Sequence, residues 1–429
     1  MKKEYRIILY TSIFLLCVVA SIILVVKKSN SVYEEESKPK VVKHKSMLSM
    51  NLEQTAGSGD YKTVTQSSWP TEGYKFNAEL SKCENGSTLS WVDTKKAVIV
   101  SGNLSDKCYV YFDIYQPTLA EYIKSQYTGT QGENNIYYHD SDLANGAGDN
   151  SYRYAGANPN NFVCFGTTES PCPTDNLYRI IGVFGENYHG VTGKQLVKLI
   201  KYDYMTTDEL GTDGDYSQTY KEWGMDSTYK GTYGDGERIG VYYWNYKATG
   251  SATNTWSTSL LNKTNLNTNF INNIGTTWAN KIATVTWKVG GNTWANIGTK
   301  TSSVAYTNEI TNPVTTNTTD NATTYSAKIG LMYVSDYGFA ASPDAWTLTM
   351  SSYNNTTATN NNWMYMGLYE WTTSRIADHS YGAFRVGSGG YVRYNNVDDD
   401  FGVRASFNLE SSVSYVSGSG SMSDPIVIN

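Results

Sequence analysis

The sequence has little charge and few of the residues on which most enzymes depend. Charged residues make up 17% of the 429-residue chain, against about 25% in an average globular protein. Only four His are present, and no two of them lie close together. The sequence has no serine-hydrolase elbow, no zinc-peptidase motif and no phosphate-binding loop. We therefore expect a protein that is not an enzyme and holds no cofactor.

An excess of basic residues is missing as well. The formal net charge is −6 and the sequence pI is about 5.4, which excludes the basic surface that nucleic-acid binding requires. The polar share of the chain comes from Asn, Thr, Ser, Gly and Tyr, with 36 Tyr in all. Tyr and Thr favour strands, so this composition predicts a β-rich extracytoplasmic protein without a nucleic-acid partner.

One long apolar run lies at the N-terminus, over residues 7–26, and Lys27 and Lys28 follow it. A run of about twenty apolar residues is long enough to cross a bilayer. The alternative is a cleaved signal peptide, whose apolar core is usually about 7–15 residues. The basic residues before the run place residues 1–6 in the cytoplasm. We expect a single-pass membrane protein, with the membrane as a partner through residues 7–26 and the bulk of the chain extracytoplasmic.

The cysteines outside that run form two local pairs. Cys83 and Cys108 bracket one segment, and Cys164 and Cys172 bracket a short loop. In an exported chain such pairs indicate disulfides; free thiols are the alternative. Neither pair has the spacing of a zinc or redox motif. Closing the first loop would contribute roughly 3 kcal/mol to a module that is too small to be stable without it.

Composition divides the rest of the chain into four parts. Residues 27–75 are mixed in charge and lack apolar periodicity, which predicts a flexible stalk. Residues 76–115 contain the β-type runs KAVIVSG and CYVYFDIY and predict a small disulfide-closed β module. Residues 116–150 begin with PTLAEYIKSQY, which predicts a short helix followed by a linker. Residues 151–429 form the main domain.

The stretch most suggestive of a site is YGAFRVGSGGYVRYNNVDDDFGVRASF, residues 381–407. AFRV and YVRY flank the Gly-rich turn GSGG and predict a β-hairpin, because Gly adopts positive φ readily. NNVDDD follows as a loop. FGVRASFNLE predicts a third strand, which would complete a β-meander.

Residues 151–429 resemble the formylglycine-generating-enzyme and C-type-lectin-like family of bacterial surface domains. The resemblance lies in the order YRYAGANPNNFV, LYRIIGVF, IGLMYVSDYGFA and EWTTS…AFRV…GGYV…FGVRASFNL, and is closest over residues 371–407. It implies an α+β fold: an irregular lectin-like domain with a small twisted sheet, long loops and a ligand surface near the last strands. No cysteine follows Cys172, so the catalytic cysteines are missing and the oxidase activity is not carried over. The binding use of the fold, as in variable lectin-like proteins, remains.

Ligand-binding residues are expected on the closing strands and their loops. Tyr side chains offer a large contact area that stacks on sugars or peptides. Ordinary half-buried packing in the sheet is the alternative for the same rings. The predicted ligand-binding residues are Tyr381, Tyr391, Arg393, Tyr394, Asn395, Asn396, Asp398 and Asp399.

The arginines and aspartates of this stretch have structural alternatives. Arg385 and Arg404 are expected to pair with Glu370 or with Asp398–Asp400, whereas Arg393 is the better candidate to grip an anionic ligand. The three Asp residues could bind Ca²⁺, which takes six to eight oxygen ligands. They are consecutive rather than spaced as ligands, so no metal site is predicted.

These observations favour a membrane-anchored extracytoplasmic bacterial surface protein. We expect its C-terminal domain to bind a glycan or a surface protein without catalysis. The alternative is a structural cell-envelope protein with no specific soluble ligand. A third hypothesis, a degraded enzyme acting on the wall, would require acid and base groups that converge in a pocket.

Overall fold

The computed structural model describes residues 48–429, except 66–68, 71–72, 104, 221–228, 234–238, 314–321 and 355. The chain divides into two compact units, Met1–Tyr115 and Gln116–Asn429. The structure is β-rich, with 34% strand and 22% helix. The predicted α+β class is therefore wrong. The Tyr-, Thr- and Val-rich segments form strands throughout both units, as their side chains favour.

The membrane prediction is also corrected. Within the described residues no helix has the length and apolar character needed to cross a bilayer. The longest helical stretch, Leu261–Phe270 continued by Ile271–Ala279, is rich in Asn and Thr. The predicted tail 1–6 and span 7–26 lie outside the described residues. The single-pass membrane protein is thus not supported.

The first unit is a four-stranded sheet in the order β2–β1–β6–β3. Between β3 and β6 in the sequence, β4 and β5 form a separate hairpin. β1 runs parallel to β6, and the other neighbours are antiparallel. Its strands are β1 (Leu48–Glu53), β2 (Tyr61–Val64), β3 (Tyr74–Cys83), β4 (Thr88–Val92), β5 (Ala97–Ser101) and β6 (Cys108–Ile114).

Two strands of this unit lie in the segment predicted as a flexible stalk, residues 27–75. In β1, Met50 and Leu52 are buried against Val110 and Phe112 of β6. The period-2 alternation of these two residues is short and lies in polar surroundings, so it is hard to recognise without the partner strand. The stalk prediction is corrected for residues 48–64, and residues 27–47 lie outside the described residues.

Both disulfide predictions are confirmed. Cys83 and Cys108 are direct cross-strand partners in β3 and β6 and are bonded to each other. Cys164 and Cys172 close a loop that follows the third strand of the second unit. Two disulfides are typical of a protein that leaves the reducing cytosol.

The second unit contains many short elements around a seven-stranded sheet. Its strands are β7 (Ile136–His139), β8 (Ser151–Tyr154), β9 (Phe162–Cys164), β10 (Leu177–Phe184), β11 (Leu196–Lys201), β12 (Tyr216–Tyr220), β13 (Ile239–Tyr243), β14 (Val285–Lys288), β15 (Gly290–Asn292), β16 (Thr324–Ala327), β17 (Ile329–Gly330), β18 (Glu370–Ile376), β19 (Gly382–Val386), β20 (Val392–Asn396), β21 (Asp400–Phe401), β22 (Ser406–Asn408), β23 (Tyr415–Ser417) and β24 (Val427–Ile428).

Its helices are short. The α-helices are α1 (Leu119–Ser125), α2 (Glu186–His189), α3 (Thr207–Leu210), α4 (Ile271–Ala279), α5 (Ser302–Tyr306), α6 (Val334–Ala340) and α7 (Thr356–Asn360), and π-helical turns span Leu261–Phe270 and Thr307–Thr311. Single 3₁₀ turns lie at Asp93–Lys95 in the first unit and at Glu133–Asn135, Thr174–Asn176, Trp256–Thr258, Trp294–Asn296, Pro343–Ala345 and Met350–Ser352 in the second.

The central sheet has the order β17–β22–β11–β10–β8–β7, and β9 also pairs with β10. β10 and β11 are buried along their whole length, as near-continuous apolar strands are when both faces are covered. The predicted helix is present as α1, capped by Thr118 and Glu121. It packs in the same core as β7, so residues 116–150 belong to the second unit rather than to a separate helix and linker.

The closing region differs from the predicted meander. The predicted hairpin is present as β19 and β20, and Val386 pairs with Val392 across the Gly-rich turn. The neighbour on the other side of β19 is β18, not the segment that follows the hairpin. That segment is divided: β21 pairs with β13, and β22 lies between β11 and β17. The resulting sheet has the order β15–β18–β19–β20, with β20 as its terminal strand.

A cluster of charged side chains is buried inside the second unit around Asp336 of α6. Lys198 Nζ lies 2.7 Å from Asp336 Oδ2, and Arg153 Nη1 lies 3.7 Å from Asp336 Oδ1. The Tyr188 hydroxyl donates to Oδ1 at 2.6 Å. Arg153 also pairs with Asp149 at 2.7 Å. Asp336 therefore neutralises cations from two different strands of the central sheet.

A second buried carboxylate, Asp215, forms no ion pair with any described residue. It is 1% exposed, and its Oδ2 accepts hydrogen bonds from the amides of Leu260 and Leu261 at 2.8 and 3.4 Å. Burial raises the pKa of the Asp215 carboxyl to about 6, although the amide hydrogen bonds act in the opposite direction. The folded state thus binds this proton more tightly than the unfolded chain does.

We expect the free energy of unfolding of the second unit to fall as the pH rises from about 4 to about 6. The Asp215 pKa is higher in the folded state, so this contribution is fully present below the unfolded pKa and is lost as the pH passes the folded one. Asp215→Asn keeps an acceptor for the amides. It should reduce the fall in the free energy of unfolding between these pH values by on the order of 1 kcal/mol. Urea unfolding of both proteins across this pH range is the measurement, and parallel curves would contradict the prediction.

Candidate functional site

A cleft of about 570 Å³ lies along β20, the terminal strand of the four-stranded sheet. This volume is within the range of small-molecule pockets, about 300–1,000 Å³. We call it the β20 cleft. The residues that line it are Trp294, Arg393, Tyr394, Asn395, Asn396 and Asp399.

Trp294 forms one wall of this cleft from a 3₁₀ turn far away in sequence. Its ring centroid lies 6.0 Å from that of Tyr394, at 64° between the planes, and it stacks at 6.4 Å over Phe384 of β19. A Cβ atom at position 298 would lie 1.8 Å from the indole, so Gly298 is required for the ring to lie where it does. The indole is half-buried and fixed by rigid neighbours.

Tyr394 continues this wall into a row of rings. The His379 ring stacks on Tyr394 with centroids 5.5 Å apart, and Tyr381 contacts His379 edge-on at 5.3 Å. Tyr381 is 44% exposed and lies beyond the residues that line the cleft. The predicted site residue Tyr381 thus belongs to the aromatic row but not to the β20 cleft itself.

The β20 cleft is also lined by polar residues, and the Asn395 amide among them is held at both ends by hydrogen bonds. Asn395 Nδ2 donates to Asp399 Oδ2 at 2.8 Å, and Asn395 Oδ1 accepts from Arg385 Nε at 2.8 Å. Arg393 and Asn396 are exposed at the edge, and Arg393 forms no ion pair with any described residue. Amides and a guanidinium supply donors, and Asp399 supplies acceptors, which is the mixture that sugar hydroxyls require.

Tyr391 and Asp398 lie away from the β20 cleft. The guanidinium of Arg385 lies 5.0 Å from the Tyr391 ring centroid and 4.5 Å from that of Tyr369. Burial raises the pKa of Tyr391, but hydrogen bonds from Tyr369 and Arg385 and the nearby positive charges more than offset this and lower it. Asp398 is exposed in the loop. These two predicted residues are not brought together with the others.

Arg404 and Arg385 are held in place by side chains of the same unit. Arg404 Nε and Nη2 grip Glu370 at 2.8 and 3.0 Å, and Nη2 also donates to the Met364 carbonyl at 2.7 Å. This is the expected pairing of Arg404 with Glu370. Arg385, for which an acidic partner was also expected, is instead held by the Asn395 amide and its neighbouring rings.

The three consecutive aspartates lie in different surroundings. Asp400 accepts from the Ser217 hydroxyl at 2.8 Å, Asp399 accepts from Asn395, and Asp398 is exposed. In the part of the chain that the structure describes, no three His, Cys, Asp or Glu residues are grouped to hold a metal ion. The Asp398–Asp400 loop therefore does not offer the converging carboxylates that a Ca²⁺ site needs.

Among the described lining residues of the β20 cleft, hydrogen-bonding groups outnumber acidic ones. Asp399 is the one carboxylate among the described lining residues, whereas glycoside hydrolysis requires two carboxylates on either side of the bond. His379 and Asp378 form a pair at 3.3 Å, but neither lines the cleft.

Comparison with known proteins gives no identification: no family model, curated protein or solved structure matches the chain. What the fold and the cleft define is a β-rich, disulfide-bonded chain with an aromatic and amide-lined cleft at a sheet edge. The resemblance to the lectin-like family stays a prediction.

Sequence reasoning missed Trp294. The signal was present, because TWAN occurs at residues 277–280 and again at 293–296. Repetition alone does not show which copy faces solvent. Only the parallel pairing of β15 with β18 brings the second copy beside the hairpin.

Proposed function

We propose that this chain is an extracytoplasmic, non-catalytic binding protein whose second unit holds a glycan in the β20 cleft. Two disulfides support a location outside the cytosol. The proposal agrees with the binding use that the lectin-like resemblance implies, and it does not depend on a membrane anchor.

The observation that carries the proposal is the combination of aromatic and amide side chains in one cleft. Trp294 and Tyr394 contribute rings to its lining, and Asn395, Asn396 and Asp399 contribute hydrogen-bonding groups. Sugar rings have apolar C–H faces that pack on aromatic rings and hydroxyl rims that pair with amides and carboxylates. A peptide would need fewer acceptors of this kind.

Fixed geometry adds to this argument. Asn395 is anchored on both sides by Asp399 and Arg385, and the Trp294 ring packs against Phe384 and Tyr394 in the space that Gly298 leaves. A preorganised wall loses little entropy on binding, and such loss is a major cost of recognition.

Trp294→Ala is expected to weaken glycan binding at least tenfold, since a buried stacking contact of this size contributes about 1.5–3 kcal/mol. The full-length chain would first be screened on an array of glycans and wall polysaccharides, with and without Ca²⁺. Hits would then be titrated by calorimetry against both proteins.

Tyr138→Ala is the matched control. Tyr138 is a partly exposed tyrosine of β7 in the seven-stranded sheet, where it stacks on Tyr152 of β8. It should bind like the unaltered chain. Equal affinity of Trp294→Ala and the unaltered chain would remove the β20 cleft from the proposal. A folded chain that binds no glycan would favour a protein partner or a purely structural role in the envelope.

A further inference from the structure

A second cleft, of about 500 Å³, lies in the same unit between β9, β10 and the segment that leads to β18. We call it the Arg179 cleft. Its walls combine two cations, Arg179 and Lys230, with the aromatic rings of Trp363 and Tyr365 and the amide side chains of Asn160 and Asn360. None of the residues that line the β20 cleft takes part in it.

Arg179 is the centre of this cleft and is only 6% exposed. Its Nε donates to Asn161 Oδ1 at 2.7 Å, and its Nη2 donates to the Pro159 carbonyl at 3.1 Å. The guanidinium carbon lies 4.3 Å from the Phe162 ring centroid and 4.7 Å from that of Trp363. Hydrogen bonds and two rings therefore hold the guanidinium in one orientation.

The positive charge of Arg179 is not neutralised by any described residue. Arg153 and Arg404 are buried and each pair with a carboxylate, whereas the buried Arg385 is held by an amide and neighbouring rings. Arg179 likewise forms no ion pair within the described residues, and no described Asp or Glu lines its cleft. Its Nη1 donates to no residue of the described chain. Burial lowers the pKa of the Arg179 guanidinium to about 9, and the charge of Arg404 adds to this, so the group is still a cation at neutral pH.

A buried cation without a counter-ion is costly, and this cost is removed when an anion binds. Lys230 lies exposed at the rim of the same cleft. Its Nζ donates to the Thr359 carbonyl at 2.7 Å and lies 4.6 Å from the Tyr365 ring centroid. An ammonium group has three donors, so Lys230 can serve a second partner. Two cations and no described carboxylate make the cleft selective for an anion.

We propose that the Arg179 cleft binds the carboxylate of an acidic saccharide. The free Nη1 edge of Arg179 and the ammonium of Lys230 would hold the carboxylate by charge-assisted hydrogen bonds. Asn160 and Asn360, which are exposed among the lining residues, would meet the hydroxyls of the sugar. A carboxylate suits this site because its two oxygens can accept from the two cations.

The inference is independent of the β20 cleft. If both proposals hold, one unit carries two separate sugar sites, of which the Arg179 cleft requires an acidic group. If glycan binding at Trp294 fails, the Arg179 cleft can still be tested by itself, because the two sets of lining residues do not overlap.

The test compares an oligosaccharide that contains glucuronic acid with the same oligosaccharide after reduction of its carboxyl groups to alcohols. Both are titrated into the full-length chain by calorimetry. The acidic form is expected to bind at least tenfold more tightly. Equal binding of the two forms would overturn the proposal, and so would tighter binding of a sulfated analogue or equally tight binding of acetate alone.

Variants assign the effect to the cleft. Lys230→Gln should weaken binding of the acidic form about tenfold and leave that of the reduced form unchanged, and Trp294→Ala should change neither. Arg179→Gln should abolish the preference for the acid. Because Arg179 packs between two rings, that variant requires a check of folding; Lys230 is exposed, so Lys230→Gln decides the matter if the first variant is unstable. Binding by Lys230→Gln that equals that of the unaltered chain would contradict the assignment.

Discussion

Asp336→Ala is expected to lower the free energy of unfolding of the second unit by about 3–5 kcal/mol. Asp336 is fully buried and is the carboxylate nearest to Lys198, which is also fully buried. Its removal leaves that ammonium without its ion partner and takes away one partner of Arg153. The Tyr333 amide at the start of α6 loses its acceptor as well. The penalty is large because the cations stay buried when their partner is removed.

The loss in the free energy of unfolding is measured by urea unfolding, with near-ultraviolet circular dichroism as the signal. Asp344→Ala is the control, since Asp344 is exposed in the next turn of the chain and forms no ion pair with a described residue. It should change stability by no more than about 0.5 kcal/mol. A loss below about 1 kcal/mol in Asp336→Ala would mean that Asp149 or water compensates for the missing carboxylate.

Replacing both Cys83 and Cys108 by Ser is expected to unfold the first unit. The crosslinked residues are 25 apart in sequence, and closing a loop of that length contributes about 3.5 kcal/mol on the chain-entropy model. The fully buried residues that remain are Met50, Leu52 and two residues of β6, with partly buried side chains such as Phe76 and Trp91 packed against them. A core of this size supplies no more than a few kcal/mol by itself.

Limited proteolysis read by mass spectrometry tests this prediction, because cleavage sites report on each unit separately. The double variant should be cut rapidly within residues 48–115 and remain resistant elsewhere. The matched control removes Cys164–Cys172, whose partners are 8 apart and contribute about 2.5 kcal/mol to a unit with a much larger core. A first unit that stays resistant without its disulfide would show that strand pairing alone stabilises it.

The local part of the β20 cleft could be predicted from sequence. The Gly-rich turn between AFRV and YVRY has one plausible fold, a tight hairpin, since Gly supplies positive φ. That hairpin places Arg393 and Tyr394 on one strand, and both line the cleft. The geometry of neighbouring residues is therefore enough to predict this strand of the cleft. Asn395 and Asn396, which were predicted to begin the following loop, instead extend the same strand.

The long-range part could not be predicted. The segment after the hairpin has strand character, but nothing in its own residues says that Phe401 pairs with Tyr242 and Phe407 with Leu199. Trp294 reaches the cleft because β15 pairs with β18 across many intervening residues. Alternation predicts that a residue lies in a strand, but not which strand it meets.

Arg179 illustrates a different limit. In the run NLYRIIGVFG it is one polar residue in an apolar strand, and such a residue is most simply interpreted as facing solvent. Only the structure shows that it is buried and has no acid beside it within the described residues. The missing partner, and not the arginine, is the informative feature, and a sequence cannot display it.

The central sheet pairs strands that are far apart in sequence, and this has a consequence for the order of folding. β22 fills the place between β11 and β17, and the Ile426 amide donates to the Phe162 carbonyl. During synthesis from the N-terminus, β10 and β11 therefore remain an unfinished sheet with an open edge until these last strands emerge. An open edge can pair with other chains, and late non-local pairing is slow. We infer that the newly made chain depends on protection against aggregation until β22 closes the sheet.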